Sequence, residues 1–257
     1  MKINHNDMAK ARNMGLFGVT AWLIFMAGAV RASDIDERQI FAELLAHNTL
    51  RSDALLEYTA NRTYQIADTN GKVHAEEKGR MEFRAPDQKT FVVTSEEGSG
   101  LIRRLALNPL IASELKAASG QDHHDSAISP ANYNLELIGE EQLGDHRCYV
   151  LRATPRRSDK YLFAGKLWID EQEYAVVRIE GRPAAKLSFW IKQAEFVREY
   201  QRVDGFWFPQ RDTTVVQVRL YGQKVLSIDH RDYVVRGKAR ASSETAPAVF
   251  PLLGSSN

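Results

Sequence analysis

The chain has a single cysteine, Cys148, among its 257 residues. One cysteine cannot form an intramolecular disulfide, so an exported form of this chain must be stabilised by packing alone. Cys148 lies in a segment of alternating apolar residues without a nearby C-x-x-C partner, which favours a buried and unreactive thiol. No cysteine follows the apolar stretch near the N-terminus either, which argues against lipidation there.

Long apolar runs are also scarce. The run Gly15–Val30 is uncharged but shorter than the ~20 residues that a membrane-spanning helix needs. Lys10 and Arg12 precede it, and Val30-Arg31-Ala32 follows it with small residues at the −3 and −1 positions of a cleavage site. These three parts predict a cleaved secretory signal peptide over residues 1–32 and a periplasmic protein. Retention as a membrane anchor is the alternative.

A surplus of charge of one sign is absent too. The remaining chain, Ser33–Asn257, has 30 basic and 32 acidic residues. This balance gives no electrostatic reason for binding nucleic acid or an anionic membrane. We predict one large domain over residues 33–236. The stretch 237–257 is rich in Ser, Ala and Pro and is predicted to be a disordered tail.

Signatures of catalysis are equally scarce. The chain has no H-E-x-x-H, no G-x-S-x-G and no Gly-rich phosphate loop. Ser113-Glu114-Leu115-Lys116 fits S-x-x-K, but the companion motifs are missing, and a solvated helix face is the preferred interpretation. Gln121–Asp125 (QDHHD) has adjacent metal-ligand types that rarely converge on one ion, and it is predicted to be a surface loop. We therefore expect no enzyme, no metal and no cofactor.

What the sequence does contain is two-residue alternation. A helix is predicted over 36–48, with Asp36 as its N-cap and apolar residues at helical spacing. After it, alternating segments bounded by turn signals predict strands. These segments are 55–66, 73–84, 89–95, 134–138, 147–154, 161–170, 174–181, 187–200, 206–221 and 224–235.

The segment Gly100–Ala118 is helical in composition, and Asn108-Pro109 predicts a break that leaves two short helices. Most strands have one apolar and one charged face, so the apolar side of the sheet must be shielded from water. Two short helices are too small to pack densely over the whole of that side. The predicted fold class is mainly β. A single curved antiparallel sheet of about ten strands forms an incomplete barrel around a cavity, with an N-terminal helix and a helical lid.

The segment Asp204–Pro209 (DGFWFP) concentrates aromatic residues after a hairpin turn. In a strand, Phe206 and Phe208 lie on one face and Trp207 on the other. Apolar material is therefore expected on both faces of the sheet near this turn.

Several motifs, taken in order, resemble those of the outer-membrane lipoprotein-sorting (LolA-like) family. The resemblance covers about Asp34–Arg236, and its strength lies in the order of the motifs. The motifs are Tyr58–Tyr64 (YTANRTY), Gly79–Pro86 (GRMEFRAP), Gly165–Asp170 (GKLWID), Val177–Gly181 (VRIEG) and Gly205–Pro209 (GFWFP).

The resemblance implies a half-barrel whose helical lid covers an apolar cavity for acyl chains. Members that carry lipoproteins have an inward arginine just before the strand-end proline, which ties the lid shut. This chain has Ala85 at that position, and Arg84 is expected to point outward. Arg62 shares a strand face with Tyr58 and Tyr64 and is the candidate for a lid latch. Burial beside a backbone carbonyl explains its position equally well.

The predicted function is a periplasmic carrier or binder of the acyl chains of lipid or lipoprotein. An envelope membrane protein is expected as donor or acceptor, nucleic acid is not, and the chain is expected to be a monomer. The alternative is an envelope sensor that binds a membrane-protein partner through the same half-barrel. The candidate cavity-lining residues are Met81, Phe83, Phe91, Leu105, Leu110, Phe163, Leu167, Phe189, Phe206 and Phe208.

Overall fold

The computed structural model describes residues 36–116, 127–159, 161–187 and 189–238. Its helical elements are α1 (Glu37–Ala54), α2 (Gly100–Ile102), a π-helical turn (Arg103–Leu107) and α3 (Asn108–Lys116). We call Gly100–Lys116 the lid segment. The strands are β1 (Leu55–Asp68), β2 (Val73–Arg84), β3 (Gln88–Gly98), β4 (Tyr133–Leu143), β5 (His146–Pro155), β6 (Phe163–Asp170), β7 (Val176–Pro183), β8 (Ile191–Val203), β9 (Phe206–Val218) and β10 (Gly222–Gly237).

The ten strands form one antiparallel sheet in the order β3-β2-β1-β10-β9-β8-β7-β6-β5-β4. In the middle of the sheet, β1 pairs with β10 from Leu55 opposite Gly237 to Asp68 opposite Lys224. Among the described strands, β3 and β4 are the two edges, so the sheet does not close. The predicted fold class is confirmed: mainly β, with one antiparallel sheet as an incomplete barrel, an N-terminal helix and a helical lid.

Helix α1 covers one half of the inner face, which we define as the face that packs against α1 and the lid segment. Asp36 caps the helix, since its Oδ1 accepts from Gln39 N at 2.8 Å. Ile40, Phe41 and Leu44 are buried in a cluster with inner-face residues of β5–β7. The helix runs to Ala54, six residues beyond the predicted end, and leads directly into β1.

The lid segment covers the part of the inner face formed by β1, β2 and β10. Leu107 and Ile111 are buried there against Tyr64, Ala75 and Ile228. The predicted interruption at Asn108-Pro109 is displaced, because the irregular turn precedes it and Asn108 N bonds to Arg103 O. Proline is tolerated at the start of a helix, where its missing N–H leaves no carbonyl unpaired.

A smaller cluster lies on the outer face of the sheet. It contains Cys148, Val150, Trp168 and Val177, and Trp207 packs against it. Burial raises the pKa of the Cys148 thiol to about 12, which keeps it neutral. The cluster explains the apolar material on the second face near the DGFWFP turn, since neighbouring residues of a strand point to opposite faces.

Three predicted segments lie outside the described residues and stay predictions. They are the signal peptide over 1–32, the loop 121–125, and the tail from residue 239 onward; Gly237 is the last residue of β10. Of the helices in the described part of the chain, none has the length and apolarity to cross a membrane.

The two leucines of α1 provide a test of its docking. Leu44 is fully buried, whereas Leu50 is 66% exposed on the same helix. Leu44→Ala is expected to lower the free energy of unfolding by about 2–5 kcal/mol, because it leaves a cavity in the cluster. Leu50→Ala is expected to change it by less than about 0.5 kcal/mol. Urea denaturation measures both, and equal losses would contradict the docking of α1 described above.

Candidate functional site

A row of polar side chains, three of them charged, crosses the inner face of four adjacent strands. It consists of Arg62 on β1, His230 on β10, Asp212 on β9 and Arg198 on β8, and we call it the polar row. Arg62 stands opposite His230 in the β1–β10 register, and Arg198 opposite Asp212 in the β8–β9 register. Arg62 and His230 lie two residues from Tyr64 and Ile228 of the cluster under the lid segment, whereas Arg198 lies between residues that pack against the cluster under α1. Charges at such a position are costly unless they are paired.

Arg62 is paired with a carboxylate from the lid segment. Its Nη1 forms an ion pair with Glu114 Oε1 and donates to Tyr64 Oη at 3.3 Å. The same carboxylate accepts from Tyr64 Oη and from Lys89 Nζ, each at 2.8 Å. The side chain of Arg62 is 2% exposed, and that of Lys89 is 13% exposed. One lid carboxylate therefore joins β1 and β3.

The pKa values reflect this arrangement. Burial alone would raise the pKa of Glu114, but Lys89 and Arg62 outweigh burial and hold that pKa well below its usual range. Burial opposes the charge of Arg62 too, yet Glu114 outweighs it, so the pKa of Arg62 is raised. The pKa of Lys89 is lowered, chiefly by burial, since Glu114 compensates it only in part. Both Glu114 and Arg62 are thus charged at neutral pH. For Lys89, the attraction of Glu114 does not fully offset the cost of burying the ammonium group.

Asp212 organises the other end of the polar row. Its Oδ2 lies 2.9 Å from His230 Nε2, and its Oδ1 forms an ion pair with Arg198 Nε. His230 is 3% exposed. Burial lowers the pKa of His230 despite the opposing effect of Asp212, so the imidazole is neutral at neutral pH.

Arg198 marks an open part of the inner face. Its side chain is 45% exposed, although Phe196 and Tyr200, which share its strand face, pack against the cluster under α1. An inner-face side chain with this exposure means that neither α1 nor the lid segment covers the sheet at this point. We call the space above Arg198 the hollow.

Aromatic side chains border the polar row toward the β8–β9 turn. Phe208 stacks on Tyr233 with 4.6 Å between ring centroids and contacts Tyr58 at 5.1 Å. Tyr58 stacks on Phe83 at 5.3 Å. These four side chains form a continuous aromatic surface on the inner face, at the end of the sheet where the β8–β9 turn lies.

A pocket of about 320 Å³ adjoins these aromatic residues, between the end of α1 and residues of β7–β9; we call it the end pocket. It is lined by Asn48, Arg51, Ser52, Leu55, Ile128, Ala175, Val176, Tyr200, Phe206, Trp207 and Phe208. Arg51 fixes its rim, because its guanidinium donates to Glu173 O at 2.9 Å and Tyr174 O at 3.0 Å. The end of α1 is thereby tied to the β6–β7 turn.

A second cavity, of about 560 Å³, is lined by residues of β1, β2, β3 and β10, which include Tyr58 and Phe83 as well as charged side chains. Its walls include ion pairs such as Arg236 with Glu57 at 3.0 Å and Arg80 with Glu82 at 3.5 Å. Paired surface charges of this kind suit neither an apolar ligand nor a catalytic centre, so the end pocket is the better candidate.

Five of the predicted lining residues lie near the site. Phe206 and Phe208 line the end pocket. Phe83 belongs to the aromatic group beside it. Phe91 and Leu110 pack against the cluster under the lid segment.

The other five lie elsewhere. Met81, Phe163 and Leu167 are buried, the latter two in the packed cluster under α1. Phe189 is 72% exposed in the β7–β8 loop. Leu105 is 68% exposed, because the π-helical turn directs Leu107 rather than Leu105 toward the sheet.

Sequence reasoning did not identify Glu114, although a signal was present. Residues 107, 111 and 114 share one helix face, and an acid on an otherwise apolar face needs a cation opposite. Ser113 and Lys116 are exposed, while Glu114 contacts Arg62. In the described part of the chain, no group of three His, Cys, Asp or Glu side chains is arranged to hold a metal ion.

Removing the lid carboxylate tests its role. Glu114→Gln is expected to lower the free energy of unfolding by about 2 kcal/mol, less than the loss for a fully buried pair, because Glu114 is 28% exposed. Hydrogen exchange of the amides of 108–116 is expected to accelerate. Glu96→Gln is the control, since Glu96 is 49% exposed and lies 3.6 Å from Arg103. Equal effects of the two variants would argue against a latch.

The buried imidazole predicts a pH dependence. The pKa of His230 is lower in the folded state, so unfolding takes up a proton below the ordinary histidine pKa of about 6.5. The charged groups near the ring are Asp212, Arg62 and Glu114. The free energy of unfolding is therefore expected to fall as the pH drops below about 6.5, by up to about 1.4 kcal/mol per unit. Urea titrations from pH 7.5 to 5 measure this slope, which His230→Gln should reduce; an unchanged slope would refute the assignment.

Comparison with known proteins gives distant similarities. A family model described as an uncharacterized protein matches residues 117–236. A DUF1329 family protein from Desulfovibrio piger has 14% identity, 77% coverage of this chain, 92% of its own and a TM-score of 0.42. A LolA superfamily protein from Nitrosomonas europaea has 12% identity, 79% coverage of this chain, 94% coverage of its own and a TM-score of 0.37. A proposed outer membrane lipoprotein-sorting protein domain from Vibrio parahaemolyticus has 12% identity, 75% coverage of this chain, 91% coverage of its own and a TM-score of 0.44.

No curated protein matches the chain. The solved structures similar to it do include members of the family that its motifs resemble, as predicted. With identities of 14% or less and TM-scores below 0.5, these similarities carry no argument about what the chain binds.

Proposed function

We propose that this protein binds or carries the acyl chains of a lipid or lipoprotein, and that the end pocket receives the chain. The observation that carries the proposal is the end pocket itself: about 320 Å³ of space beside Tyr200, Phe206 and Phe208. This volume is at the lower end of the range for small-molecule sites, about 300–1,000 Å³.

Burial of hydrocarbon supplies the affinity in this proposal. Each CH₂ group that leaves water contributes about 0.8 kcal/mol, before the cost of ordering the chain. Aromatic walls suit a flexible alkyl chain, because they offer a large contact area without a demand for hydrogen bonds. The adjoining hollow above Arg198 gives the chain a way out of the end pocket.

In this proposal the lid segment can separate from the sheet, because few of its side chains are buried against it. Arg62 is proposed as the latch that holds the lid closed. Two buried apolar residues, Leu107 and Ile111, and the Glu114 carboxylate hold it to the sheet. Lifting the lid would expose Tyr64 and Ile228, which would extend the apolar surface for a ligand. A longer or second acyl chain would then be accommodated under the lid segment.

The proposal includes a place of action in the periplasm, with the domain over 33–236 as the binding unit. It rests on the signal-peptide pattern of residues 1–32. An envelope membrane protein would act as donor or acceptor of the lipid. Transfer without catalysis needs an acceptor that binds the chain more tightly than the end pocket.

Filling the mouth of the end pocket tests the proposal. Ser52 is an exposed residue of α1 that lines the pocket, so Ser52→Trp is expected to preserve folding while occupying part of its volume. The affinity of delipidated protein for hexadecanol is expected to fall at least about tenfold, or about 1.4 kcal/mol. Asp53→Trp, on the next and equally exposed residue of α1, is the control.

Titration calorimetry measures both affinities, and native mass spectrometry of purified protein reports any lipid that is already bound. Absence of binding by the unmodified protein, with no lipid retained on purification, would refute acyl-chain binding. It would favour the sensor alternative.

A further inference from the structure

The charges around the hollow do not balance. Arg62, Lys89 and Arg198 are cations, and Glu114 and Asp212 are the carboxylates paired with them. His230, between them, is neutral at neutral pH. Each cation has a carboxylate partner, but Arg62 and Lys89 share Glu114, so the three cations outnumber the two carboxylates by one. A surplus charge in a partly desolvated space is costly, and an anionic group would offset it.

The carboxylate of Glu114 shows what these donors accept. It receives hydrogen bonds from Lys89 Nζ and Tyr64 Oη at 2.8 Å and an ion pair from Arg62. It belongs to the lid segment rather than to the sheet, so the donors on β1 and β3 stay behind if the lid lifts. Two cations and a phenol directed at one point form an anion-binding set.

Arg62 offers another donor. In the described part of the chain, Arg62 Nε is buried without a hydrogen-bond partner. His230 Nδ1 also lacks a partner but is an acceptor, because the neutral ring holds its proton on Nε2 beside Asp212. Arg198 is 45% exposed to the hollow; its Nε pairs with Asp212, and its guanidinium also hydrogen-bonds to the Tyr200 hydroxyl. Because a guanidinium has five N–H groups, Arg198 retains donors for a second anion in this arrangement. The pKa of Lys89 is lowered in part by Arg62 and Arg198, which indicates that the three cations share one region.

The end pocket begins next to these cations. Tyr200 lines it and lies two residues from Arg198 on the same strand face, about 7 Å along β8. On the β1 side, Tyr58 connects the surroundings of Arg62 to Phe208 at 5.1 Å. A head bound at the cations would thus direct a tail into the end pocket.

We propose that the ligand is an amphiphile with one acidic headgroup, whose carboxylate or phosphate binds Arg198, Lys89 and Arg62 while its hydrocarbon tail lies in the end pocket. The proposal rests on the proposed function and specifies its ligand class. Glu114 occupies part of the headgroup site when the lid is closed, so an acidic head competes with the lid for the same donors. A neutral lipid with the same tail lacks this contact.

Three ligands with sixteen-carbon chains test the proposal on delipidated protein: palmitate, lysophosphatidate and hexadecanol. Tryptophan fluorescence titration, below the concentration at which each ligand aggregates, gives the dissociation constants. At least one acid is expected to bind about tenfold or more tightly than hexadecanol, with a preference that weakens as salt is added. Preference for palmitate assigns a carboxylate head, and preference for lysophosphatidate assigns a phosphate head.

The other outcomes are distinct. Equal affinity for all three ligands overturns the headgroup site and leaves acyl-chain binding intact. Failure of all three to bind overturns both proposals.

Matched variants locate the headgroup. Arg198→Gln and Lys89→Met are each expected to weaken binding of the preferred acid about tenfold and to leave hexadecanol unchanged. Arg211→Gln is the control for the arginine, since Arg211 is 54% exposed on the outer face and lies 3.3 Å from Asp229. Lys78→Met, on the outer face of β2, is the control for the lysine. Parallel loss of hexadecanol binding, or equal losses in the controls, would overturn the site.

Discussion

The ion pair between Arg62 and Glu114 is the interaction on which the arrangement of the inner face depends. A guanidinium that is 2% exposed in the middle of a sheet is tolerated only with a carboxylate beside it. That carboxylate comes from the lid segment. The position of the lid is therefore determined by a charge on β1 as well as by hydrophobic packing. Leu107 and Ile111 supply contact area, and Glu114 fixes the register of the contact.

The two covers of the inner face differ in how they are held. Helix α1 leads directly into β1, buries three large side chains and bonds to the β6–β7 turn through Arg51. The lid segment has shorter helical elements, and its polar contacts with the sheet include the partly exposed Glu114 carboxylate and Arg103, which donates to Glu97 O at 2.8 Å beside the start of the lid. Competition by water or an anion weakens such a polar contact far more than it weakens apolar packing. Of the two covers, the lid is the one that separates at lower cost.

The sequence predicted the strands well, because alternation of apolar and polar residues is imposed by the pleat itself. It predicted the inward position of Arg62 for the same reason. It did not reveal that the partner of Arg62 is Glu114, 52 residues later, since no local pattern records which helix face meets which strand. Glu77 shows the same difficulty: alternation requires it on the inner face of β2, and it is 3% exposed. Burial raises the pKa of Glu77. The sequence does not show which side chains surround this carboxyl group, since they come from distant parts of the chain.

The polar row also explains how a sheet with so much apolar surface retains a hollow. The clusters under α1 and under the lid segment would merge into one solid core if the residues between them were leucines. Arg62, His230, Asp212 and Arg198 stand at that boundary. Arg62, His230 and Asp212 are buried, and each has a polar partner. Covering Arg198 with apolar side chains as well would remove solvation that Asp212 only partly replaces. Arg198 consequently remains 45% exposed on the inner face, next to an aromatic pocket. The polar row thus contains both the cation that holds the lid, Arg62, and the exposed cation beside the uncovered hollow, Arg198.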